Sequence, residues 1–371
     1  MSTLIVEVCK VEEIINHENA DRLELARVKG WWCVIQKGRY KVGDKVVYIP
    51  IDSILPEDLM NILFGADAKI KPDKGRIRTI RIRGAISQGL VVGITEVGLA
   101  ENIKEGTDVK EKLNIKKYEV PEKHPSFKGN QVSKKQLNPH FRKYTDIENI
   151  KHFPSILLGE EVVITEKEHG SNWRAGYTPI FIRRFYQRAL NALFNYYKNK
   201  YEFVYGSHNV QLQYRLLKES KHFKETFGKN IYWEMVEKYD IMNKLEPNTV
   251  LYGEVYGDGI QKNYKYGCKD GEHKLIIIDV MKDGQYMNTL DAKAYAEAIG
   301  LKFVPILYVG KLEIDTIDNI DMRTSVLCPE QKIMEGVVIR GLKEKQTHMG
   351  RNILKYINPE YLLRKDNTDW H

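Results

Sequence analysis

A chain of 371 residues, 42% hydrophobic and 29% charged, has the composition of a folded protein and enough length for two cores, which excludes a disordered or low-complexity chain. No apolar run approaches the roughly 20 residues of a membrane helix, and the opening MSTLIVEVCKVEE has no basic leader, so neither a span nor a signal peptide is expected. The four cysteines (Cys9, Cys33, Cys268, Cys328) lie far apart with no C-x-x-C pair, the pattern of reduced thiols in an intracellular, soluble protein and not of a zinc site or a disulfide framework. A formal net charge of +8 suits a polyanionic partner without naming one.

Residues 1–120 read as short strands with turns. LIVEVCKV alternates, WWCVI and KVVYI are β-rich, a turn Gly-Asp separates them, and RGAISQGLVVGI continues the pattern. Even spacing of short strands in a basic module predicts a small all-β barrel of the OB type. Within it, RIRTIRIRG (76–84) puts Arg76 and Arg78 on one strand face and Arg81 and Arg83 on the other. A β-bulge near Thr79 would turn all four to water. Beside Trp31, Trp32 and Tyr48 they would form a nucleic-acid or triphosphate groove, where phosphates take the charge and bases stack; the alternative is an edge strand kept soluble by arginine.

Residues 121–145 (PEKHPSFKGNQVSKKQLNPHFRKY within them) are proline-dotted, polar and basic, the texture of a linker. From 146 to 371 the texture changes to β-branched runs, VVITEKEHG, TVLYGEVYG, KLIIIDV, EGVVIRG and NILKYIN, alternating with helical stretches expected near 185–205, 209–227, 231–245 and 289–299. The last of these carries Leu290, Ala294 and Ala298 at i, i+4 spacing with Gly300 after it. The fold class is α+β, an antiparallel-sheet domain behind the barrel.

Each of those strands delivers a charged residue near an end or a glycine: Lys167, Glu254, Asp279, Glu335 and Lys355. Ionisable residues inside apolar runs are costly unless they converge on partners. Two cations and three acids at strand ends describe a cleft for a nucleotide and a metal.

The order K-x-H-G, Y-G-E, a β-rich run ending in Asp, E-G-V-V-I and a lysine strand resembles the covalent lysyl-nucleotidyltransferases. Lys167-Glu168-His169-Gly170-Ser171-Asn172-Trp173 is similar to the ATP-dependent RNA ligases, and the N-terminal module to those with an N-terminal OB domain. The resemblance implies an RNA ligase that uses ATP, carries AMP on Lys167, and seals 5′-phosphate to 3′-hydroxyl RNA ends in repair. A lysine attacks only when neutral, and its unperturbed pKa near 10.4 means that its site must favour the neutral form. By the same resemblance Lys167, Lys355 and His169 are catalytic, and Glu166, Lys167, Asn172, Arg183, Glu254 and Lys355 bind ATP or AMP. Glu335 and Glu254 would hold Mg²⁺ or Mn²⁺. Asp279 fits either that site or a structural strand end.

Two departures stand out. Ile276, Ile277 and Ile278 occupy the run where relatives place an adenine-stacking aromatic, and Lys355-Tyr356-Ile357 lacks the second lysine of K-x-K, leaving Lys343, Lys345 or Arg351 as replacements. A DNA ligase or capping-type enzyme is the alternative, disfavoured because the chain stops sixteen residues after Lys355 where those enzymes carry an OB domain. A non-catalytic RNA-binding protein is the alternative from another class. A monomer is expected, in cytoplasm or nucleus or encoded by a virus.

Overall fold

The protein is described here by a computed structural model, for residues 3–65, 71–118, 137–182, 185–213, 230–313 and 315–364. It divides into two compact units, one comprising Met1–Glu122, Ile147–Pro154 and Lys355–His371, the other Lys123–Asp146 and Ser155–Leu354. The expected linker lies outside the described residues up to 136.

The first unit is built from β1 (Glu7–Lys10), β2 (Glu13–Asn16), β3 (Leu23–Val28), β4 (Trp31–Gln36), β5 (Lys45–Ile49), β6 (Ser53–Ile54), β7 (Thr79–Ile82), β8 (Ala85–Gln88), β9 (Leu90–Gly93), β10 (Lys116–Lys117) and β11 (Glu148–Asn149). The sheet β1-β5-β9 is covered on both faces. Val8, Val47, Ile49 and Val92 enter one hydrophobic cluster, while their strand neighbours Cys9, Val46, Tyr48 and Val91 enter another. Successive side chains of a strand point to opposite faces, so KVVYI is continuously apolar because both sides are buried. Strands β2-β3-β4 form a separate meander and β7-β8 a hairpin, and no sheet closes into a barrel among the described residues. A helix at Glu57–Leu63 further departs from the all-β expectation.

The arginine segment is not the bulged ridge expected from sequence. Its strand spans only Thr79–Ile82, pairs one-to-one with β8, and ends in the left-handed Arg83-Gly84 turn. Arg76 lies before it and is buried, its Nε donating to Asp52 at 3.0 Å and its guanidinium 3.8 Å above the Tyr118 ring. Arg81 pairs with Glu360 at 2.6 Å, which leaves Arg78 and Arg83 as the exposed members without such a partner among the described residues. Trp31 and Tyr48 are inside the core and present no stacking surface.

The second unit is built on β12 (Glu161–Lys167), β13 (Ser171–Pro179), β14 (Tyr201–Ser207), β15 (Gln211–Gln213), β16 (Thr249–Gly257), β17 (His273–Lys282), β18 (Gln285–Tyr286), β19 (Ile306–Lys311), β20 (Gly336–Gly341), β21 (Gln346–Thr347), β22 (Gly350–Arg351) and the start of β23 (Ile353–Ile357). One antiparallel sheet runs β15-β14-β13-β16-β17-β18, and a second contains β20-β12-β19. The helix expected over 185–205 ends at Phe194 and gives way to β14, and of 209–227 the described part, 209–213, is non-helical and contains strand β15. Helix Thr289–Ala298 ends as expected at Gly300 (φ 76), whose N–H bonds to Glu297 while that of Leu301 bonds to Ala296. Its packed face is Thr289, Ala292 and Ala296, with Leu290, Ala294 and Ala298 turned to solvent, the reverse of the expectation.

Asp279 lies within β17, 2% exposed, and is structural: Tyr144 Oη donates to it at 3.0 Å and Arg351 pairs with it at 2.9 Å. Arg351 also forks onto Glu344, so it is committed inside the fold and does not replace the missing lysine. Of the other two candidates, Lys345 pairs with Glu160 at 3.1 Å and Lys343 is exposed. No helix among the described residues is long and apolar enough to cross a membrane.

Candidate functional site

Lys167 is the last residue of β12 and stands opposite Gly336, the first residue of β20. That register places Glu335, one residue earlier, beside the lysine: Lys167 Nζ and Glu335 Oε1 form an ion pair in which the carboxylate is fully buried. His169 Nδ1 lies 3.6 Å from the other Glu335 oxygen. Residues predicted from two separate motifs, K-x-H-G and E-G-V-V-I, are thus brought together where two neighbouring strands meet the turn after β12.

The glycines of the motifs are explained by crowding. After Lys167 the chain turns through Glu168-His169-Gly170 into β13, and a Cβ on Gly170 would collide with the Val255 carbonyl and the Glu254 Cγ. Both obstacles belong to β16, where Glu254 stands opposite Asn172. The β16–β17 ladder shifts register between Tyr252 and Gly253, a bulge that re-aims the following Glu254. A Cβ on Gly253 would meet the Ile276 carbonyl at 2.6 Å. We expect Gly170→Ala to destabilise the protein by about 2–4 kcal/mol, because backbone cannot yield as a flexible side chain does. Thermal melting measures this, with Gly259→Ala as the comparison for lost left-handed freedom without a clash (φ 71, open space).

Asn172 Oδ1 is buried with no hydrogen-bond partner among the described residues, an acceptor available to a ligand. Glu166 points away from Lys167, as alternation requires, and its Oε2 accepts the amides of Val326 (2.8 Å) and Leu327 (3.1 Å). Burial pushes its carboxyl upward, against the bonds from Ser325, Leu327 and Val326. That side chain anchors a loop. Of the three isoleucines, Ile276 and Ile277 are buried and Ile278 is half-buried.

Arg183 lies outside the described residues. Strand β13 pairs with β14, with Ser207 opposite Trp173 and Tyr201 opposite Pro179. Lys355 belongs to the first unit, where Ile150 N–H donates to its carbonyl at 2.9 Å. Lys355 is one of four lysines, unmarked as a group by any sequence motif, that act on His152. His152 is held neutral, its pKa lowered to about 4 by burial and then by Lys29, Lys151, Lys355 and Lys117. Lys151 Nζ lies 4.2 Å from the Trp31 ring and 5.3 Å from that of Tyr356.

Among the described residues no cluster of three or more His, Cys, Asp or Glu is arranged to hold a metal. Glu335 and Glu254 offer hard carboxylate oxygens without an all-protein cage. That donor set fits Mg²⁺ or Mn²⁺ that keeps waters and is shared with phosphates, not a resident structural ion.

The sequence profile of an OB-fold domain matches residues 5–94, and that of RNA ligase matches residues 160–357. No curated protein matches the chain by sequence. Among solved structures, a lysine-to-methionine mutant of Naegleria gruberi RNA ligase, bound to AMP and Mn, is 25% identical with a TM-score of 0.69, covering 98% of this chain and 99% of that one. An arginine-to-alanine mutant of the same ligase with ATP and Mn is also 25% identical, with a TM-score of 0.66 and coverage of 97% and 98%. The complex of that ligase with PPi gives the same four values. An OB-fold domain followed by a nucleotidyltransferase domain of mostly antiparallel strands defines the class as a polynucleotide ligase. The chain belongs to the RNA ligase family; it is an enzyme whose substrate is RNA.

Proposed function

We propose that this RNA ligase consumes ATP with Mg²⁺ or Mn²⁺ and joins 5′-phosphate to 3′-hydroxyl RNA ends, as a monomer in RNA repair, through AMP carried on Lys167. The observation that carries this reading is the contact of Lys167 with buried Glu335 and of His169 with the same carboxylate. Support for the nucleotide and metal comes from the Naegleria ligase, whose structures include complexes with ATP and Mn, with AMP and Mn, and with PPi. The working division is an OB-type module at 1–120, a linker at 121–145 and a catalytic domain at 146–371.

In the first step Lys167 leaves its ion pair with Glu335 and gives up its ammonium proton to solvent; the lone pair of neutral Nζ then forms a bond to the α-phosphorus, and a second proton goes to solvent to give the phosphoramidate. The bond from that phosphorus to the bridging oxygen breaks, and pyrophosphate leaves with its electrons. AMP then passes to the RNA 5′-phosphate, and the 3′-hydroxyl displaces it. All three steps are phosphoryl transfers, in which positioning and charge neutralisation do the work. Glu335 and Glu254 would hold the cation, which neutralises phosphate charge when bound. His169 and Asn172 would orient the nucleotide, Arg183 its ribose, and Lys355 the α-phosphate. The test is incubation with α-labelled ATP and a divalent cation, followed by a denaturing gel. A labelled protein band is the expected result, and its absence overturns the reading. RNA or DNA on the 3′-hydroxyl side then reports the polynucleotide.

Within the first compact unit we assign the triphosphate to Lys117 and Lys151, which act with Lys355 on His152, in place of the arginine strand, since Arg76 and Arg81 are committed to Asp52 and Glu360. Pairing leaves Arg78 and Arg83 for the RNA backbone. The double change Lys117→Ala/Lys151→Ala is expected to slow self-adenylation by about 10-fold or more, because leaving-group charge develops in that step. Joining of pre-adenylated RNA should stay within about threefold. Arg78→Ala/Arg83→Ala should spare adenylation and weaken RNA binding in a salt-dependent way. The opposite pattern would assign the lysines to RNA.

A further inference from the structure

The connection between β16 and β17, Asp258–Glu272, has no task in the ligase reading, yet it grips the turn that follows Lys167 at three points. Gln261 Nε2 donates to the Gly170 carbonyl at 2.7 Å. The Tyr264 ring stands edge-on to the His169 imidazole, centroids 5.0 Å apart and planes at 84°. The His169 N–H donates to Tyr266 Oη at 2.9 Å. Both tyrosines are buried, at 1% and 5% exposure, so these contacts are made away from water. Tyr264 Oη also donates to the Ile333 carbonyl at 2.8 Å, two residues before Glu335. One loop therefore supports both the nucleophile turn and the approach to the carboxylate that pairs with the lysine.

The backbone on both sides of these contacts is strained. Tyr266 has φ 46, Asn263 φ 65 and Ile333 φ 64. An aromatic or β-branched residue in the left-handed region is unfavourable by about 1–3 kcal/mol and persists only where its surroundings over-determine it. Ordinary loops place glycine or asparagine at such positions. Here large side chains occupy two of the three: the tyrosine on the His169 amide and the isoleucine whose carbonyl Tyr264 holds. Glu168, within the same turn, is buried at 5% exposure. Burial pushes it well above the usual carboxylate range, the Glu166 charge adds to this, and the Tyr266 hydroxyl acts in the opposite sense.

We infer that Asp258–Glu272 is a positioning clamp for adenylyl transfer, in which Gln261, Tyr264 and Tyr266 fix the Lys167–Gly170 turn and the Tyr266 hydroxyl is the contact on which the rate depends most. The inference rests on the reading of Lys167 as the adenylated residue. The clamp residues act through the turn and touch no reacting atom. A lysine at the end of a strand reaches its target only as accurately as the following turn is held, and a misplacement of about 1 Å costs on the order of 100-fold in rate. Losing the Tyr266 hydroxyl leaves a buried amide unpaired, so the turn would shift to find another acceptor.

The test is single-turnover self-adenylation of Tyr266→Phe across a range of ATP concentrations, with melting recorded in parallel. The clamp predicts a maximal rate lower by about 10- to 100-fold with half-saturating ATP within about twofold. Tyr256→Phe, on a neighbouring ring 5.4 Å from that of Tyr266, should label like wild type. Gln261→Met keeps length and removes the donor to Gly170; it should lower the same maximal rate and serves if Tyr266→Phe does not fold. A maximal rate within about twofold of wild type in the folded variants overturns the clamp, as does a loss that appears only as weaker ATP binding. Labelling of wild type separates the two readings: if wild type takes no label the ligase reading falls, and if wild type and variants label alike only the clamp does.

Discussion

Replacing Lys167 with alanine will abolish transfer of label from α-labelled ATP to the protein and all sealing of 5′-phosphate ends, while joining of RNA already bearing a 5′-adenylate persists at a measurable rate. The first step needs an amine on the strand end, and no other lysine ends a strand against Glu335 in the described second unit. The joining step needs no lysyl intermediate, so it keeps whatever His169, Asn172 and the acids contribute. Arginine will not rescue the first step, because a guanidinium stays protonated and has no lone pair to offer. The side chain of Lys167 is 23% exposed, so its removal empties no core, but it strands the fully buried Glu335 carboxylate, and stability should fall by about 3–5 kcal/mol, which melting measures. Labelling of the alanine variant at the wild-type rate would remove the assignment.

How much of this was legible depended on whether a residue's meaning is local. Lys167, His169, Glu254 and Glu335 were readable because each sits in a short motif with a glycine, and at Gly170 and Gly253 that glycine answers to a backbone collision. The resemblance supplied their order, and the Lys167–Gly336 register supplied the contact. Arg76 was misjudged because its partner Asp52 lies 24 residues upstream, across a segment without period. Trp31 and Tyr48 looked like a stacking surface, since a strand buried on both faces carries the same aromatics as an exposed groove. In helix Thr289–Ala298 small apolar residues occupy both faces, and nothing local says that Ala292 and Ala296 face the sheet. Nothing in the sequence marks the tyrosines at 264 and 266, because a contact with a peptide group about a hundred residues upstream leaves no period or spacing behind.

Glu335→Gln should lower self-adenylation by about 100-fold or more at low Mg²⁺ or Mn²⁺, with partial recovery as the metal concentration rises. The amide keeps the shape of the side chain, which is 0% exposed, and removes its charge. Two consequences follow from the geometry. The Lys167 ammonium loses its ion-pair partner, and because it is partly exposed it turns to water, so stability should fall by only about 1–3 kcal/mol, below the range for stranding a fully buried charge. His169 Nδ1, 3.6 Å from the same carboxylate, loses the charge it faces. The two effects act at different stages: the ion pair belongs to the ligand-free enzyme, whereas a cation shared with phosphates is present only with nucleotide. If Glu335 serves only to hold the lysine, the deficit will not depend on metal concentration, and joining of pre-adenylated RNA will be normal. If it holds the cation, adenylation and joining will both fall and both will respond to metal. Near-wild-type activity at low metal would show that Glu335 is not a ligand.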